Sequence, residues 1–182
     1  MRLIISLLFL AAIAQDAHAQ TSRPSIPVLV PSGSDWRFHG ENFVLANDLA
    51  LDRRTGKTWA RCNYGQTWDR DLQSCAGTPK WLTQRQALAE LQSSLDGWRL
   101  PSADELLSVI KGACPPLDPP QLRPVVFPGL LPRLYISTTR TQRGDRALAV
   151  DGCFADRPID TSNEQVGHLL LVRDTAPAAG SK

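Results

Sequence analysis

The sequence predicts an α+β domain in which two helices pack on short antiparallel strands. Thr83 and Gln86 have capping-box spacing, in which an N-cap hydroxyl and a polar side chain three residues later each satisfy an amide group of the other. Ser102 and Glu105 repeat that spacing after Gly97, which stands where a glycine ends a helix. Elsewhere, short apolar segments separated by turn residues favour antiparallel strands.

Residues 1–19 are expected to form a signal peptide. Arg2 supplies a positive charge, residues 3–14 are apolar, and residues 17–19 give the small-x-small pattern of a cleavage site. The apolar run is shorter than the roughly 20 residues of a membrane span, so an uncleaved anchor is the less favoured alternative. Cleavage would leave 182 − 19 = 163 residues, enough for one domain with a hydrophobic core.

The protein is therefore expected in the periplasm, secreted or at the cell surface. After cleavage, no remaining segment is apolar enough to cross a membrane, and the net charge of +2 argues against a nucleic-acid binder. Proline and small residues predict an unstructured lead-in over 20–34 and a flexible tail over 174–182. The predicted domain covers residues 35–173.

Four cysteines in an exported chain predict two disulfides, for which three connectivities exist. We favour Cys62–Cys75, which closes a short loop around Trp68. The second pair is then Cys114–Cys153, which would fasten the end of the second helix to a later strand.

Hydrophobic periodicity orders the elements along the chain. The first helix is predicted over 84–96, with Leu88, Leu91 and Leu95 on one face, and the second over 103–111. Strands are predicted at 43–45, 49–51, 58–61, 134–139, 147–151 and 167–173. The last segment carries three consecutive leucines and is predicted to be a central strand that is buried on both faces.

Residues 115–132 form a proline-rich segment that contains seven of the chain's 14 prolines. Because proline lacks an amide donor, this density predicts neither helix nor sheet interior. The same stretch carries apolar side chains such as Val126 and Phe127. We favour a rigid cover that packs across the core, and the alternative is a preformed recognition surface.

The order of several motifs resembles one protein family. The string between the two helices consists of Trp98, Arg99, Leu100, Pro101 and Ser102, followed by the acidic Asp104 and Glu105. Other segments in the same order are 52–61 with Trp59, 62–75, Trp81 with 86–88, 127–128, 135–139, 149–151 ending in Asp151, and 171–173. Together these segments resemble the Lcl C-terminal domain family, most of whose members have no assigned function. The resemblance covers about residues 43–173.

The resemblance implies a C-type-lectin-like fold, related to that of formylglycine-generating enzymes, whose long loops tolerate variation. In this chain the loops carry Arg133, Arg140, Arg143, Arg146 and Arg157, which are the candidate ligand-binding residues together with Trp68 of the disulfide loop. Arginine forks bind carboxylates and sulfates bidentately. We expect an anionic glycan or a surface protein as the ligand, with ordinary surface solvation as the alternative.

Other conspicuous residues receive structural interpretations. The tryptophans interpreted as core residues are Trp59, Trp81 and Trp98. The basic residues interpreted as a solvated hairpin tip are Arg53, Arg54, Lys57 and Arg61. Asp151, at the end of a predicted strand, is interpreted as the anchor of a buried hydrogen-bond network.

Catalysis is not expected. A hydrolase needs a nucleophile with a histidine base, whereas the mature chain has only His39 and His168 and no G-x-S-x-G motif. An oxidase of the formylglycine-generating type needs a closely placed cysteine pair that binds copper, and Cys114 and Cys153 are far apart in sequence. The chain has no C-x-x-C, Glu-Pro-Asn or Trp-Asn-Asp string, so no metal or other cofactor is expected. We predict an exported, non-catalytic binding or adhesion module, with a structural accessory protein of an envelope or pilus-type assembly as the alternative.

Overall fold

The computed structural model describes residues 37–39, 42–92, 97–110, 123–153 and 156–174. The predicted signal peptide, the predicted lead-in and all of the predicted tail except Asp174 lie outside the described residues. The elements in chain order are β1 (Arg37–His39), β2 (Phe43–Ala46), β3 (Leu49–Asp52), β4 (Lys57–Ala60), β5 (Thr67–Asp69), β6 (Ser74–Ala76), β7 (Leu82–Thr83), α1 (Gln84–Gln92), α2 (Ala103–Ile110), α3 (Arg123–Val126), β8 (Leu134–Arg140), β9 (Ala147–Asp151), β10 (Ile159–Thr161), β11 (Val166–Gly167) and β12 (Val172–Asp174). The fold is thus mixed α and β, as predicted, with two main helices and antiparallel sheets.

The largest sheet has five antiparallel strands in the order β1-β2-β3-β4-β12. Asn47 adopts a φ of 47° in the two-residue turn between β2 and β3. The carboxylate of Asp52 accepts hydrogen bonds from the Arg54 amide at 2.9 Å and the Thr55 hydroxyl at 2.8 Å, which closes the turn between β3 and β4. The two hairpins therefore form where the sequence predicts them.

A second sheet has the strand order β10-β9-β8. The pairing of β8 with β9 is regular as far as Ile136, and then the register shifts before Arg140. Ser137, at this irregularity, is fully buried and donates its hydroxyl hydrogen to the Leu148 carbonyl at 2.6 Å. Two smaller sheets pair β5 with β6 and β7 with β11.

Both predicted capping boxes are present. The Thr83 amide donates to Gln86 Oε1 at 2.9 Å, and the Gln86 amide donates to the Thr83 hydroxyl at 3.2 Å. At α2 the Ser102 amide donates to the Glu105 carboxylate at 2.7 Å, and the Glu105 amide donates to the Ser102 hydroxyl at 3.1 Å. Gly97 has a φ of 75°, the left-handed conformation that favours glycine, while residues 93–96, the predicted end of the first helix, lie outside the described residues.

Two clusters of buried apolar side chains form the core. Trp59 belongs to the first cluster, is 1% exposed, and contacts Phe127 edge-to-face with ring centroids 6.4 Å apart. The prediction that Trp59 lies in the core is therefore confirmed. The second cluster includes Leu91 of α1 and Leu100. Leu100 belongs to residues 97–102, the segment before α2 that we call the inter-helix corner. Burial of one such large side chain contributes about 1.5–3 kcal/mol to folding.

The predicted strand over 167–173 is divided into β11 and β12. The segment between them is buried, as predicted, but its backbone bonds to two different parts of the molecule. The Leu169 carbonyl accepts from the Tyr64 amide at 2.9 Å, whereas the His168 carbonyl accepts from the Ile136 amide at 3.0 Å. Because the chain passes between two sheets here, no regular strand continues through it.

The buried face of α1 also differs from the prediction. Leu88 is 37% exposed, whereas Ala87 and Leu91 are buried. The small Ala87 side chain therefore takes the inward position that the leucine spacing assigned to Leu88. Leu95, the third predicted member of this face, lies outside the described residues.

The proline-rich segment contains one turn of helix, so the prediction that it excludes helix is wrong. Pro124 lies in the first turn of α3, where an amide donor has no intrahelical partner and none is lost. Val126 and Phe127 are each 2% exposed. These two residues favour the interpretation that the segment covers the core.

Glu105 is the centre of an ion-pair network that fastens the inter-helix corner. Arg99 donates to both Glu105 carboxylate oxygens, each at 2.9 Å, and Lys57 Nζ lies 3.1 Å from the same carboxylate. Lys57 also reaches the Asp174 carboxylate at 2.6 Å. The Arg99 contact lowers the pKa of Glu105 to about 2. The network thus joins α2 to both β4 and β12.

We expect Glu105→Gln to lower the free energy of unfolding at neutral pH by about 1–2 kcal/mol, because it replaces charge-assisted contacts with neutral ones. The folded-state pKa lies below the ordinary value of 4.5, so the stabilisation is fully present above pH 4.5 and is lost as pH falls toward about 2. Urea unfolding across this range should show the variant and the wild type converging in acid. A difference that stays constant down to about pH 3 would contradict this role.

Candidate functional site

The predicted disulfide Cys62–Cys75 is present, with Cα atoms 5.5 Å apart. It closes a loop in which β5 and β6 pair, so that Trp68 lies opposite Cys75. The second predicted pair, Cys114–Cys153, includes Cys114, which lies outside the described residues. That pairing stays a prediction.

An open cleft of about 600 Å³ lies beside this loop. Its walls come from the β2–β3 turn, the end of β4, the disulfide loop and the inter-helix corner. Tyr64, Trp68 and Trp98 line it among amide, carboxylate and guanidinium groups. The volume falls within the range of roughly 300–1,000 Å³ that is usual for small-molecule sites. The structure therefore places Trp68, the aromatic ligand-binding candidate, at the edge of a space that a ligand could fill.

Arg61 is 5% exposed and supports Trp68 from outside the cleft. Its guanidinium donates to the carbonyls of Val126 at 2.9 Å, Val125 at 2.7 Å and Asn47, and its central carbon lies 4.1 Å from the Trp68 ring centroid. Burial lowers the pKa of Arg61 to about 10, so the side chain is still protonated at neutral pH. The prediction that Arg61 belongs to a solvated hairpin tip is wrong.

Trp98 is half-buried and has two roles. It packs against the second core cluster and also lines the cleft. Arg173 of β12 lies on one face of the indole, with its guanidinium carbon 4.7 Å from the ring centroid. Its interpretation as a core residue alone is therefore incomplete.

The polar rim of the cleft includes Asp48 and Arg70, both exposed. Within the described part of the chain, neither side chain makes a hydrogen bond or an ion pair. Tyr64 is more firmly held, because its hydroxyl donates to Glu90 of α1 at 3.0 Å. Burial and this contact raise the pKa of Tyr64. The cleft thus combines fixed aromatic walls with polar groups that remain available.

The five candidate arginines of the loops do not converge. Arg133 and Arg140 lie at opposite ends of β8, which separates their backbones by roughly 20 Å. Arg146 pairs with Asp160 at 2.9 Å, and the rest of the set, Arg143 and Arg157, is exposed. Arg140, Arg143 and Arg146 share the β8–β9 hairpin, but Arg133 lies at the far end of β8, so the five do not form one anion-binding pocket. Asp151, interpreted as the anchor of a buried hydrogen-bond network, is half-buried and accepts a hydrogen bond from the Cys153 amide at 2.6 Å.

Sequence reasoning missed an exposed aromatic feature outside the cleft. Trp81, interpreted as core, is 54% exposed, so that interpretation is wrong. Its ring contacts His168 edge-to-face, with centroids 4.7 Å apart. His168 is 1% exposed, and burial lowers its pKa. Trp81 therefore covers a buried, neutral imidazole.

The described ranges contain neither a cluster of metal ligands nor a membrane-spanning helix. No group of three His, Cys, Asp or Glu side chains in these ranges could hold a metal ion. Asp69, one of two loop aspartates, accepts hydrogen bonds from the amides of Asp71 at 3.0 Å and Leu72 at 2.9 Å, as the cap of a turn does. No helix among the described residues is long and apolar enough to cross a membrane.

Comparison with known proteins identifies a family but no individual relative. No curated protein matches the chain significantly, and no solved structure does. The sequence profile of the Lcl C-terminal domain matches residues 48–173, a range that includes α1, α2, the disulfide loop and the cleft. Because this match covers more than half of the chain, the protein belongs to the Lcl C-terminal domain family.

Proposed function

We propose that this protein is an exported, non-catalytic binding module that serves adhesion, with a glycan or a surface protein as its ligand. The cleft beside the disulfide loop is the observation that carries this proposal. It has the volume of a ligand site, two half-buried indoles in its walls and a rim whose charged side chains make no hydrogen bond or ion pair in the described part of the chain. Such a mixture of aromatic and polar groups is typical of binding sites.

The finer fold prediction belongs to the same proposal. We expect a C-type-lectin-like arrangement stapled by a second disulfide, Cys114–Cys153, in a chain that is exported after cleavage behind residue 19. The Cys62–Cys75 bridge supports an oxidising destination, because disulfides persist mainly in exported proteins. Peptide mapping of the unreduced secreted protein tests both points. Recovery of Cys114 as a free thiol would contradict the second disulfide.

The non-catalytic part of the proposal is supported by the position of His168. Its ring is buried behind Trp81 and also lies 5.8 Å, centroid to centroid, from the ring of Tyr135. A general base needs access to a nucleophile or a substrate proton, and a ring enclosed by aromatic neighbours lacks it.

A glycan array probed with the labelled mature protein, with calcium and then with EGTA, tests the binding function. We expect binding that Trp98→Ala weakens on the order of tenfold or more, since a buried tryptophan is a frequent hot spot. Trp81→Ala is the matched control, because Trp81 is exposed and lies outside the cleft. Thermal unfolding of each variant checks that the fold is intact.

The outcomes separate the remaining hypotheses. Loss of binding in Arg140→Ala or Arg143→Ala, with Trp98→Ala unaffected, would place the ligand at the arginine-bearing loops. Absence of binding to every glycan on the array, together with recovery of a partner protein by cross-linking, would favour the structural accessory role. The exposure of Trp81 favours that second candidate, because exposed aromatic side chains are enriched at protein interfaces.

A further inference from the structure

The two indoles of the cleft are held in the same way. Trp68 has the guanidinium of Arg61 at 4.1 Å from its ring centroid, and Trp98 has that of Arg173 at 4.7 Å. Neither arginine lines the cleft, whereas both tryptophans do. The cations therefore back the rings, and the aromatic surface left for a ligand is on the cleft side. Such backing fixes the rings before a ligand arrives, which lowers the entropic cost of binding.

The charges around the cleft do not favour an anion. Arg61 is committed to three backbone carbonyls and to Trp68, and Arg173 is stacked on Trp98. Among the described residues, the charged side chains that line the cleft are one carboxylate, Asp48, and one guanidinium, Arg70. Among these groups an anionic ligand would find one guanidinium free to donate to it and one carboxylate that repels it, because Arg61 and Arg173 lie behind the indoles. A neutral ligand that both donates and accepts hydrogen bonds satisfies both groups.

We infer that the cleft binds a short, uncharged pyranose oligosaccharide, an inference that rests on the binding function proposed above. The apolar C–H face of a pyranose ring packs against Trp98, and the ring hydroxyls donate to Asp48 and accept from Arg70. Hydroxyl groups suit this rim because each is both a donor and an acceptor. A proline-rich peptide would also pack on aromatic walls, but its carbonyls only accept and would leave Asp48 without a partner.

Isothermal titration calorimetry with the mature protein tests the ligand class. The probes are uncharged trisaccharides of the cello, malto, xylo, manno and chito series, a heparin tetrasaccharide and a proline-rich decapeptide. We expect at least one uncharged trisaccharide to bind with a Kd that changes less than about twofold between about 50 and about 500 mM NaCl, because no net charge is neutralised. Asp48→Asn and Arg70→Gln should each weaken it by about tenfold.

Variants and comparators make each result decisive. Trp98→Ala should abolish the titration and Trp98→Phe should retain part of it, while Trp81→Ala stays at the wild-type Kd. Binding of heparin alone, lost in high salt, would overturn the inference and leave the binding function standing. Binding of the decapeptide alone, lost in Trp98→Ala, would do the same. If no probe binds and the glycan array also shows no binding, the inference fails, and a surface protein is the one proposed ligand class that remains.

Discussion

Replacing Arg61 with methionine is expected to lower the free energy of unfolding by about 3–5 kcal/mol, because it leaves three backbone carbonyls without their donor at about 1–3 kcal/mol each. The guanidinium satisfies three backbone carbonyls, and two of these belong to α3, which lies 64 and 65 residues further along the chain. Methionine fills part of the same volume but donates no hydrogen bond, so buried carbonyls lose their partner. Small domains are stable by only about 5–15 kcal/mol, so the loss is a large share of the total.

Urea unfolding followed by circular dichroism and by tryptophan fluorescence measures this effect. The change in tryptophan fluorescence on unfolding should differ between Arg61→Met and the wild type, because Arg61 stacks on Trp68 in the folded protein. Arg143→Met is the control, since Arg143 is exposed and its replacement should change stability by less than about 0.5 kcal/mol. Arg61→Lys keeps the charge but lacks the planar fork, so its stability should lie between those of the two methionine variants. A loss below about 1 kcal/mol for Arg61→Met would show that the carbonyls find other donors.

The parts of the fold that could be predicted depend on residues close together in sequence. The capping boxes at Thr83 and Ser102 need only the next three residues. The β3–β4 turn needs only the carboxylate of Asp52 and the four residues after it. The family resemblance added the order of these local motifs. The Cys62–Cys75 pair, which was favoured because it closes a short loop, is confirmed by the structure.

The parts that could not be predicted depend on distant segments. The burial of Arg61 requires the carbonyls of α3 as hydrogen-bond acceptors. No pattern in the sequence around Arg61 predicts that these carbonyls lie close to it. One signal was available, because strand alternation places Arg61 on the same face as the buried Trp59. The exposure of Trp81 is of the same kind, since its ring finds His168, a residue 87 positions away, rather than the core centre.

The candidate site in the structure differs from the predicted arginine-bearing loops for a related reason. Sequence reasoning could group arginines by the loops that carry them, but loop membership does not set distance, and β8 separates Arg133 from Arg140. The cleft instead assembles from segments that start near Asn47 and end at Leu171. Of its lining residues, Trp68 was the one predicted to bind a ligand, whereas Trp98 was interpreted as a core residue.

Replacing both Cys62 and Cys75 with alanine is expected to lower the free energy of unfolding by about 2–4 kcal/mol. The bridge joins residues 13 positions apart, and closing a loop of that size removes about 3 kcal/mol of chain entropy from the unfolded state. Urea unfolding of the variant, compared with wild type in oxidising buffer, measures this loss. Reduction of the wild type with dithiothreitol should lower its stability at least as much, and any loss that dithiothreitol causes in the variant measures the proposed second bridge, Cys114–Cys153.

The same variant separates the stability of the loop from its part in ligand binding. The bridge holds Tyr64 and Trp68 in the cleft wall, so we expect binding to weaken even at temperatures where the variant is fully folded. Gly129→Ala tests the same point without removing the disulfide, because an added Cβ would lie 2.9 Å from the Cys75 sulfur. We expect it to displace the loop with the disulfide intact and to weaken binding in the same way. Wild-type binding by both folded variants would show that the loop does not shape the ligand site, whatever its contribution to stability.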